Sequence, residues 1–310
     1  MKQITDTLFM VRPVHFRMNE QTAVNNYYQK VIENVLPATL VVRAKNEFND
    51  FVQKLEDIGV TVVVVDDKEE TDTPDAVFPN NWVSFHENGT VATYPMFAEN
   101  RRTERREDIF EILEEKGFLI DHVVDYSSAE EEEVFLEGTG SLLLDRVNRK
   151  AYCALSPRAD EELFIEFCED FEYTPVIFTA YQTVDGKRLP TYHTNVMMCL
   201  GEDFSVICLD SIDDKKERKN VLKNLKQDKK EIIEITEDQV IHFAGNMLQV
   251  EGKDGSYVVM SNAAYQSLTP TQIAQINKRS KILYSSLDVI EACGGGSARC
   301  MMAEVFLPKK

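Results

Sequence analysis

The chain has 310 residues, with 53 acidic and 34 basic side chains and a formal net charge of −19. This charge repels phosphate backbones and anionic lipid headgroups, so it argues against nucleic-acid and membrane-surface functions. The length allows one large domain or two ordinary ones, and 43% hydrophobic residues suffice for a substantial core.

Two further signals favour a reduced, cytoplasmic protein. The longest apolar run, residues 62–65, is far shorter than the ~20 residues of a membrane helix, and residues 1–13 lack the apolar segment of a signal peptide. Six cysteines are scattered without a Cys-x-x-Cys pair or a histidine cluster nearby. This spacing argues against a metal site and against a disulfide scaffold.

The predicted elements alternate between strands and helices. The first are a strand over 8–12, a polar helix over 20–35, a strand over 40–43, a helix over 46–58, strands over 62–65, 82–85 and 91–94, and a charged helix over 102–115. The Asn88-Gly89 pair is a strong hairpin signal between two of these strands. The later elements are strands over 141–144 and 151–155 with a helix over 160–170, strands over 195–200 and 204–209 with a helix over 213–226, strands over 247–250 and 257–261 with a helix over 270–279, and a last strand over 300–307.

This order indicates hairpin-plus-helix units that recur at roughly 50–60 residues. Hairpins between helices are unusual in parallel sheets, so the pattern favours an α/β propeller over an open βαβ sheet. We expect one domain over residues 1–310 with a central pore. Because no helix follows the last strand, its pairing with N-terminal elements would close the array.

Small or polar residues precede the first strand of each hairpin. In a closed array these positions face one axis, so residues far apart in sequence converge on one pocket. A glutamate, a histidine, several asparagines and a cysteine are the parts of a covalent site. The segments concerned are 78–81, 137–140, 193–195, 245–246 and 294–300.

Each candidate also has an ordinary structural interpretation. Cys300 precedes an apolar strand, where cysteine often serves as a small core residue, but three consecutive glycines at 294–296 indicate tight turning or close approach to a ligand. His193 alone could be an ordinary hydrogen-bonded histidine. Glu137 lies among apolar residues, where a buried carboxylate requires a partner. Cys293, near the same glycines, is a rival nucleophile.

The sequence resembles the guanidine-modifying pentein superfamily of arginine deiminases, dimethylarginine dimethylaminohydrolases and amidinotransferases, and within it the deiminase-related branch of citrulline utilisation. The resemblance runs over nearly the whole chain. The matching motifs are Pro74-Asp75-Ala76-Val77-Phe78 with Asn80-Asn81, the Arg101-Arg102 pair, Leu136-Glu137-Gly138, Ser156-Pro157-Arg158, Tyr192-His193-Thr194-Asn195, and residues 294–301.

The resemblance implies a five-bladed α/β propeller of pseudo-fivefold repeats with its active site in the pore. It implies Cys300 as the nucleophile, His193 as the general acid and base, and Glu137 as the carboxylate that orients the histidine or holds a substrate nitrogen. Arg102 and Arg158 match positions that bind a substrate carboxylate in some relatives. The remaining expected substrate-binding residues are Asp75, Phe78, Asn81, Asn195 and Asn246.

Three departures from the family pattern bear on the substrate. Asn81 and Asn195 stand where arginine deiminases carry aspartates that grip the guanidinium, and Gly140 stands where relatives have a further acid. A carboxylate neutralises a guanidinium and accepts bidentate hydrogen bonds from it. An asparagine accepts and donates, which suits a neutral group with both C=O and N–H. The departures therefore favour a ureido group, as in citrulline.

The predicted function is cysteine-dependent hydrolysis of a C–N bond in a ureido or guanidino group, with release of ammonia and without a metal or organic cofactor. The expected partner is a small amino-acid substrate, and a homo-oligomer is compatible with the sequence. The alternatives are amidino transfer to an amine, a non-catalytic pentein binding protein, and an α/β enzyme of unrelated chemistry.

Overall fold

The computed structural model describes residues 2–310, which contain five three-stranded sheets of one topology. In each sheet the central strand pairs antiparallel with one neighbour and parallel with the other. With the central strand in the middle, they are Ala303–Glu304, Thr7–Arg12 and Thr61–Asp66 (sheet 1), Val83–Phe85, Thr90–Thr93 and His122–Asp125 (sheet 2), Leu142–Asp145, Lys150–Leu155 and Thr174–Thr179 (sheet 3), Met198–Leu200, Phe204–Ile207 and Glu231–Glu234 (sheet 4), and Leu248–Gly252, Gly255–Ser261 and Lys281–Ser285 (sheet 5). A separate hairpin joins Tyr181–Val184 to Lys187–Pro190.

Helices connect the parallel strands, as a crossover between such strands requires. Glu237–Ile241 lies between sheets 4 and 5. The crossover helices are Pro37–Asp57 in sheet 1, Glu99–Arg102 and Asp108–Glu115 in sheet 2, Glu161–Asp170 in sheet 3, Lys215–Gln227 in sheet 4, and Asn262–Ser267 and Pro270–Asn277 in sheet 5.

Short turns precede the first strand of the hairpin in sheets 2, 3 and 4 and the last strand of sheet 1. They are short because the chain must reverse tightly before it enters each strand. The turns are Pro79–Asn81, Gly138–Ser141, Thr194–Met197 and Ala298–Met301. They contain or directly follow most of the polar residues that the sequence pattern singled out.

Four clusters of buried side chains link each sheet to its neighbour. The clusters join Phe9 of sheet 1 with Phe85 of sheet 2, Ala92 of sheet 2 with Leu142 of sheet 3, Tyr152, Val206 and Val258 of sheets 3, 4 and 5, and Val259 of sheet 5 with Leu8 of sheet 1. The hydrophobic core therefore runs through all five sheets and returns from the last to the first.

The predictions of a helix over 20–35 and of a strand over 40–43 were wrong. Residues 20–35 form turns and irregular structure, in which Asn19 Oδ1 accepts from the amide of Gln21 and Asn26 Oδ1 accepts from that of Tyr28. Such local side-chain bonds compete with a helix. Residues 40–43 lie inside Pro37–Asp57, whose buried residues recur at helical spacing along one face.

The predicted last strand over 300–307 is correct only for Ala303–Glu304. Its expected pairing with the N-terminal strand is present, with Leu8 opposite Glu304. Residues 298–301 form a turn instead, which is fixed by a hydrogen bond from the Arg299 amide to Asn246 Oδ1 (3.0 Å). The predicted helix over 102–115 is divided into the two short helices of sheet 2. Across residues 2–310, no helix combines the length and the apolarity needed to cross a bilayer.

Candidate active site

Cys300 lies buried in the turn Ala298–Met301, directly after the glycine run. Two amide nitrogens face its sulfur: Asn246 Nδ2 lies 3.3 Å from Sγ, and Asn195 Nδ2 lies 3.5 Å from it. Both amides belong to segments that precede a strand. N–H donors at this position can stabilise negative charge that develops on the sulfur.

His193 and Glu137 form a buried pair, with 2.7 Å between Nε2 and Oε2. Burial raises the pKa of Glu137, but Arg158, His193 and Arg101 outweigh it and hold that pKa well below its usual range. Burial lowers the pKa of His193 to about 4, although Glu137 opposes the shift. At neutral pH the carboxylate is therefore ionised and the imidazole neutral. Since the carboxylate can only accept, Nε2 carries the hydrogen and Nδ1 is the basic nitrogen.

Two buried arginines flank Glu137. Arg158 Nη1 lies 3.4 Å from Oε2, while its Nε donates to Asn25 Oδ1 (2.9 Å). Arg101 Nη1 lies 3.8 Å from the same Oε2 and donates to Asn81 Oδ1 (2.9 Å). These cations are the reason why a carboxylate that is fully buried remains charged.

Asp75 has one carboxylate oxygen paired and one free. Oδ2 accepts from Asn19 Nδ2 (2.8 Å) and Thr22 Oγ1 (3.1 Å), whereas Oδ1 is buried without a hydrogen-bond partner among the described residues. Burial raises the pKa of Asp75. A buried acceptor left without a donor is costly, so Oδ1 is suited to an N–H group of a substrate.

Glycines make room for the reactive groups. A Cβ at Gly294 or Gly296 would lie 2.7 or 2.9 Å from the ring of Phe78, so the aromatic side chain packs directly on the backbone before Cys300. A Cβ at Gly140 would lie 2.4 Å from Asn81 Nδ2 and 2.8 Å from His193 Nδ1. There is no space for an acidic side chain at position 140, which explains this departure from the family pattern.

The structure brings most of the predicted site residues to one cavity. Glu137, Asn195 and Asn246 contact the groups that line it. Cys293 does not line it, and burial raises the pKa of its thiol. The lining residues are Asn26, Asp75, Phe78, Asn81, Arg101, Arg158, Tyr192, His193, Gly294, Gly296 and Cys300.

Arg102 is the predicted residue that the structure does not bring to this cavity. Its Nε donates to the Met96 carbonyl (3.2 Å) and lies 3.6 Å from Glu130. The preceding residue, Arg101, points inward instead and forms a bidentate pair with Glu104 (2.9 Å for both bonds). Sequence reasoning missed this role, although an arginine three residues before a glutamate, here Arg101 and Glu104, was a usable signal of such a pair.

The cavity has a free volume of only about 10 Å³. That is space for about one water molecule. Residues of the irregular segment 13–36 cover it: Asn26 Nδ2 donates to the Gly294 carbonyl (3.3 Å), and Arg158 Nη2 donates to the Thr22 carbonyl (3.1 Å). A substrate therefore enters only when covering residues move.

A family model described as eukaryotic N,N dimethylarginine dimethylhydrolase matches residues 12–307. The chain belongs to this family. The membership confirms the predicted place in the pentein superfamily and the prediction of a hydrolase that acts on non-peptide C–N bonds. No curated protein sequence matches the chain significantly.

Solved structures of similar fold support the mixed α/β assignment. Apo ArgZ, an arginine dihydrolase from the ornithine–ammonia cycle in cyanobacteria, has 19% identity and a TM-score of 0.73 over 98% of this chain and 41% of that chain. The ArgZ N-terminal domain, covalently bound to a reaction intermediate, has 18% identity and a TM-score of 0.70 over 97% and 99% of the two chains. A dimethylarginine dimethylaminohydrolase adduct with S-methyl-L-thiocitrulline has 13% identity and a TM-score of 0.64 over 97% and 99%. The chain thus spans about two-fifths of full-length ArgZ.

Proposed function

We propose that the chain is a cysteine hydrolase that cleaves a C–N bond in the ureido or guanidino group of a citrulline- or arginine-like amino acid and releases ammonia. The observation that carries this proposal is one cavity lined by Cys300, His193 and Asp75, with Glu137 hydrogen-bonded to His193 behind its wall. Membership in a family of hydrolases supports it, as does the fold of an arginine dihydrolase.

Between these substrates we propose a preference for the neutral ureido group. The guanidinium of Arg101 already faces the carboxylates at the site, 3.9 Å from Asp75 and 3.8 Å from Glu137. A second guanidinium would meet this buried cation at short range, where like charges repel strongly. Asn195, beside the sulfur, presents an amide that can donate to a ureido oxygen and accept from a ureido N–H.

A guanidino substrate is the second candidate, and one observation favours it. The unpartnered Oδ1 of Asp75 can accept a charge-assisted hydrogen bond from a guanidinium nitrogen. The two substrates differ by one positive charge, so parallel assays separate them directly.

In the proposed first step, the Cys300 thiol passes its proton to neutral His193 through the bound substrate, which lies between them, and the sulfur attacks the ureido carbon. A C–S bond forms and the carbonyl electron pair moves to oxygen. When this adduct collapses, the bond to the terminal nitrogen breaks, and that nitrogen leaves as ammonia with the proton from His193. Glu137 stabilises the imidazolium that exists between these events. A ureido substrate then leaves a thiocarbamate attached to Cys300. A guanidino substrate leaves a thiouronium there instead.

In the second step His193 takes a proton from water, and the resulting hydroxide attacks the same carbon. The C–S bond then breaks, and the proton returns to the sulfur. From a ureido substrate the released N-carboxylated amine loses carbon dioxide, so the net products are the amine, carbon dioxide and ammonia. From a guanidino substrate the product of one cycle is the ureido compound.

We further propose that residues 1–310 form one domain, a five-bladed propeller in which each three-stranded sheet is a blade. Two observations support this arrangement: the five sheets share one topology, and the buried clusters link sheet 5 back to sheet 1. The strand pairing between Leu8 and Glu304 would join the first and last segments in one blade.

The deciding experiment measures ammonia release from citrulline and arginine in parallel, identifies the products, and uses Cys300→Ala as the control. Ornithine and ammonia from citrulline would support the ureido proposal. Citrulline from arginine would keep the proposed mechanism but show that the substrate is a guanidino compound. Activity retained in Cys300→Ala would overturn the mechanism. Asn81→Asp and Asn195→Asp should lower turnover of the neutral substrate, and unchanged selectivity would contradict the role of these amides.

A further inference from the structure

A second cavity, of about 440 Å³, lies outside the active-site cavity, and no residue lines both. Its volume is in the range of small-molecule sites. We call it the outer pocket. It is enclosed by residues 27–30 of the irregular segment, residues 182–185 of the separate hairpin, residues 237–243 around the helix Glu237–Ile241, and residues 288–292 before the glycine run, with Ser211 at its wall.

The lining of the outer pocket combines aromatic rings with negative charge. The rings of Tyr28 and Phe243 pack with centroids 5.5 Å apart, and Tyr27 lies beside them in the wall. Aromatic faces and carboxylates together attract organic cations. The acidic residues of the wall are Asp185, Glu237, Asp288 and Glu291, and the basic residue is Lys30. Glu237 pairs with Arg188 from outside the wall. Burial raises the pKa of Glu291 to about 7, and its carboxylate accepts from the Ser297 hydroxyl, so Asp185 and Asp288 supply most of the free negative charge.

Two buried polar groups in this wall have no hydrogen-bond partner among residues 2–310. They are the hydroxyl of Tyr28, which is 8% exposed, and Nε2 of Gln182, which is 7% exposed. Buried polar groups are nearly always paired in native structures. Both atoms are closed off from the free space of the pocket in this structure, so a ligand reaches them only when neighbouring wall side chains shift. The Tyr28 oxygen can then accept from an ammonium group, and the Gln182 amide can donate to a hydroxyl or carbonyl oxygen.

We propose that the outer pocket binds a small organic ammonium ion that carries an oxygen acceptor on an apolar chain, and that its occupancy is coupled to the active site through Tyr28. The carboxylates and the aromatic rings of the wall favour a cationic group on the ligand. The amide of Gln182 favours an oxygen acceptor. The side chains of Val184, Val240 and Ile241 in the same wall favour an apolar chain between the two groups.

The coupling route is a short chain of contacts. Tyr28 packs edge-on against Tyr192, with ring centroids 6.2 Å apart. The Tyr192 hydroxyl donates to the Gly295 carbonyl (2.7 Å), and its ring lies 4.7 Å from that of His193. A ligand that contacts Tyr28 therefore touches a residue that packs directly on the wall of the active site.

The test uses calorimetry on the full chain with three probes of one length. 6-Aminohexanol has the ammonium group and the hydroxyl, 1,6-hexanediol lacks the charge, and 6-hydroxyhexanoate reverses it. We expect 6-aminohexanol to bind roughly tenfold more tightly than the diol, and the carboxylate not to bind. Ile241→Trp, which fills the pocket, should abolish binding, whereas Val147→Trp, at an equally exposed position outside it, should not.

Coupling is measured as the rate at which iodoacetamide alkylates Cys300, with and without 6-aminohexanol. This assay needs no substrate, so its result is independent of whether the ureido proposal is right. We expect a change of roughly threefold or more that is lost in Ile241→Trp. Equal affinities for the three probes, or binding that survives Ile241→Trp, would overturn the site. Specific binding with an unchanged alkylation rate would overturn the coupling.

Discussion

Glu137 holds His193 by a 2.7 Å hydrogen bond at a position where neither side chain is reached by solvent. The carboxylate receives three further interactions, from Arg158, Arg101 and the amide of Phe97. An anion that is bound on every side has no freedom to turn, so the imidazole plane is fixed before a substrate arrives. Such preorganisation is an effective way for a protein to position a proton-transfer group.

Glu137→Gln should lower kcat by roughly 10²–10³-fold, because the amide preserves the shape but no longer stabilises the imidazolium. The measurement is steady-state turnover together with the melting temperature. Glu104→Gln is the matched control, since Glu104 also pairs with Arg101 but does not touch His193. Equal losses in the two variants would mean that Glu137 acts only by holding Arg101.

The acid limb of kcat/KM should lie near pH 4 rather than near the ordinary pKa of histidine. The reaction begins with a neutral imidazole, and burial lowers the pKa of His193 to about 4. Protonation of His193 therefore halves kcat/KM only near pH 4. The check is a pH profile between 3.5 and 7.5 with melting temperatures at each point. A limb with an apparent pKa of about 6.5 would show that the imidazole is not shielded as described.

The same shift predicts how stability changes with pH. Because the folded-state pKa of His193 lies below its unfolded value, the unfolded chain binds an extra proton between about pH 6.5 and 4, and unfolding becomes easier as the pH falls. His193→Gln should remove this contribution, which amounts to on the order of 3 kcal/mol across the window. Urea unfolding of both proteins at pH 7 and pH 4.5 measures it. If the wild-type protein and His193→Gln lose the same free energy of unfolding between pH 7 and pH 4.5, the lowered pKa of His193 is contradicted.

Gly140→Ala should reduce activity by roughly 10²-fold and lower stability by about 1–3 kcal/mol, since its Cβ would displace the buried side chain of Asn81 or His193. Gly186→Ala provides the reverse control. Its Cβ would meet nothing within 4 Å, but its φ of +74° favours glycine, so that variant should lose stability and keep its activity. Turnover and thermal unfolding distinguish the two. Full activity in Gly140→Ala would show that the site tolerates displacement of these groups.

Arg101→Ala should lower the free energy of unfolding far more than Arg102→Ala, although the two residues are neighbours in sequence. Loss of Arg101 leaves Glu104 and Asp75 buried without their cation, which costs about 3–5 kcal/mol. Loss of Arg102 breaks a partly exposed contact with Glu130 and should cost less than about 1 kcal/mol. Denaturant unfolding measures both. Similar costs would contradict the inward orientation of Arg101.

The sequence predicted the elements that repeat and failed where a single segment departs from the repeat. Glu137, His193 and Cys300 could be found because each precedes a strand at an equivalent position, and strand–turn–strand patterns are local. The spacing of Arg101 and Glu104 indicated that these two residues pair, but that Arg101 rather than Arg102 faces the cavity depends on how a four-residue helix is rotated, which tertiary packing decides. The covering segment was mistaken for a helix because its polar residues bind local backbone groups and distant glycines.

The strand that follows Cys300 is only two residues long and lies beside Thr7–Arg12, at the opposite end of the sequence. Its neighbour Val305 donates to the Thr7 carbonyl (2.9 Å) and accepts from the Thr5 hydroxyl (2.8 Å). The ladder is short, but Met301, Ala303 and Val305 are buried in the core, so it opens only when the surrounding core opens as well. The sulfur is therefore expected to keep its position for as long as the protein stays folded, and the working lifetime of a preparation should match the lifetime of its folded state.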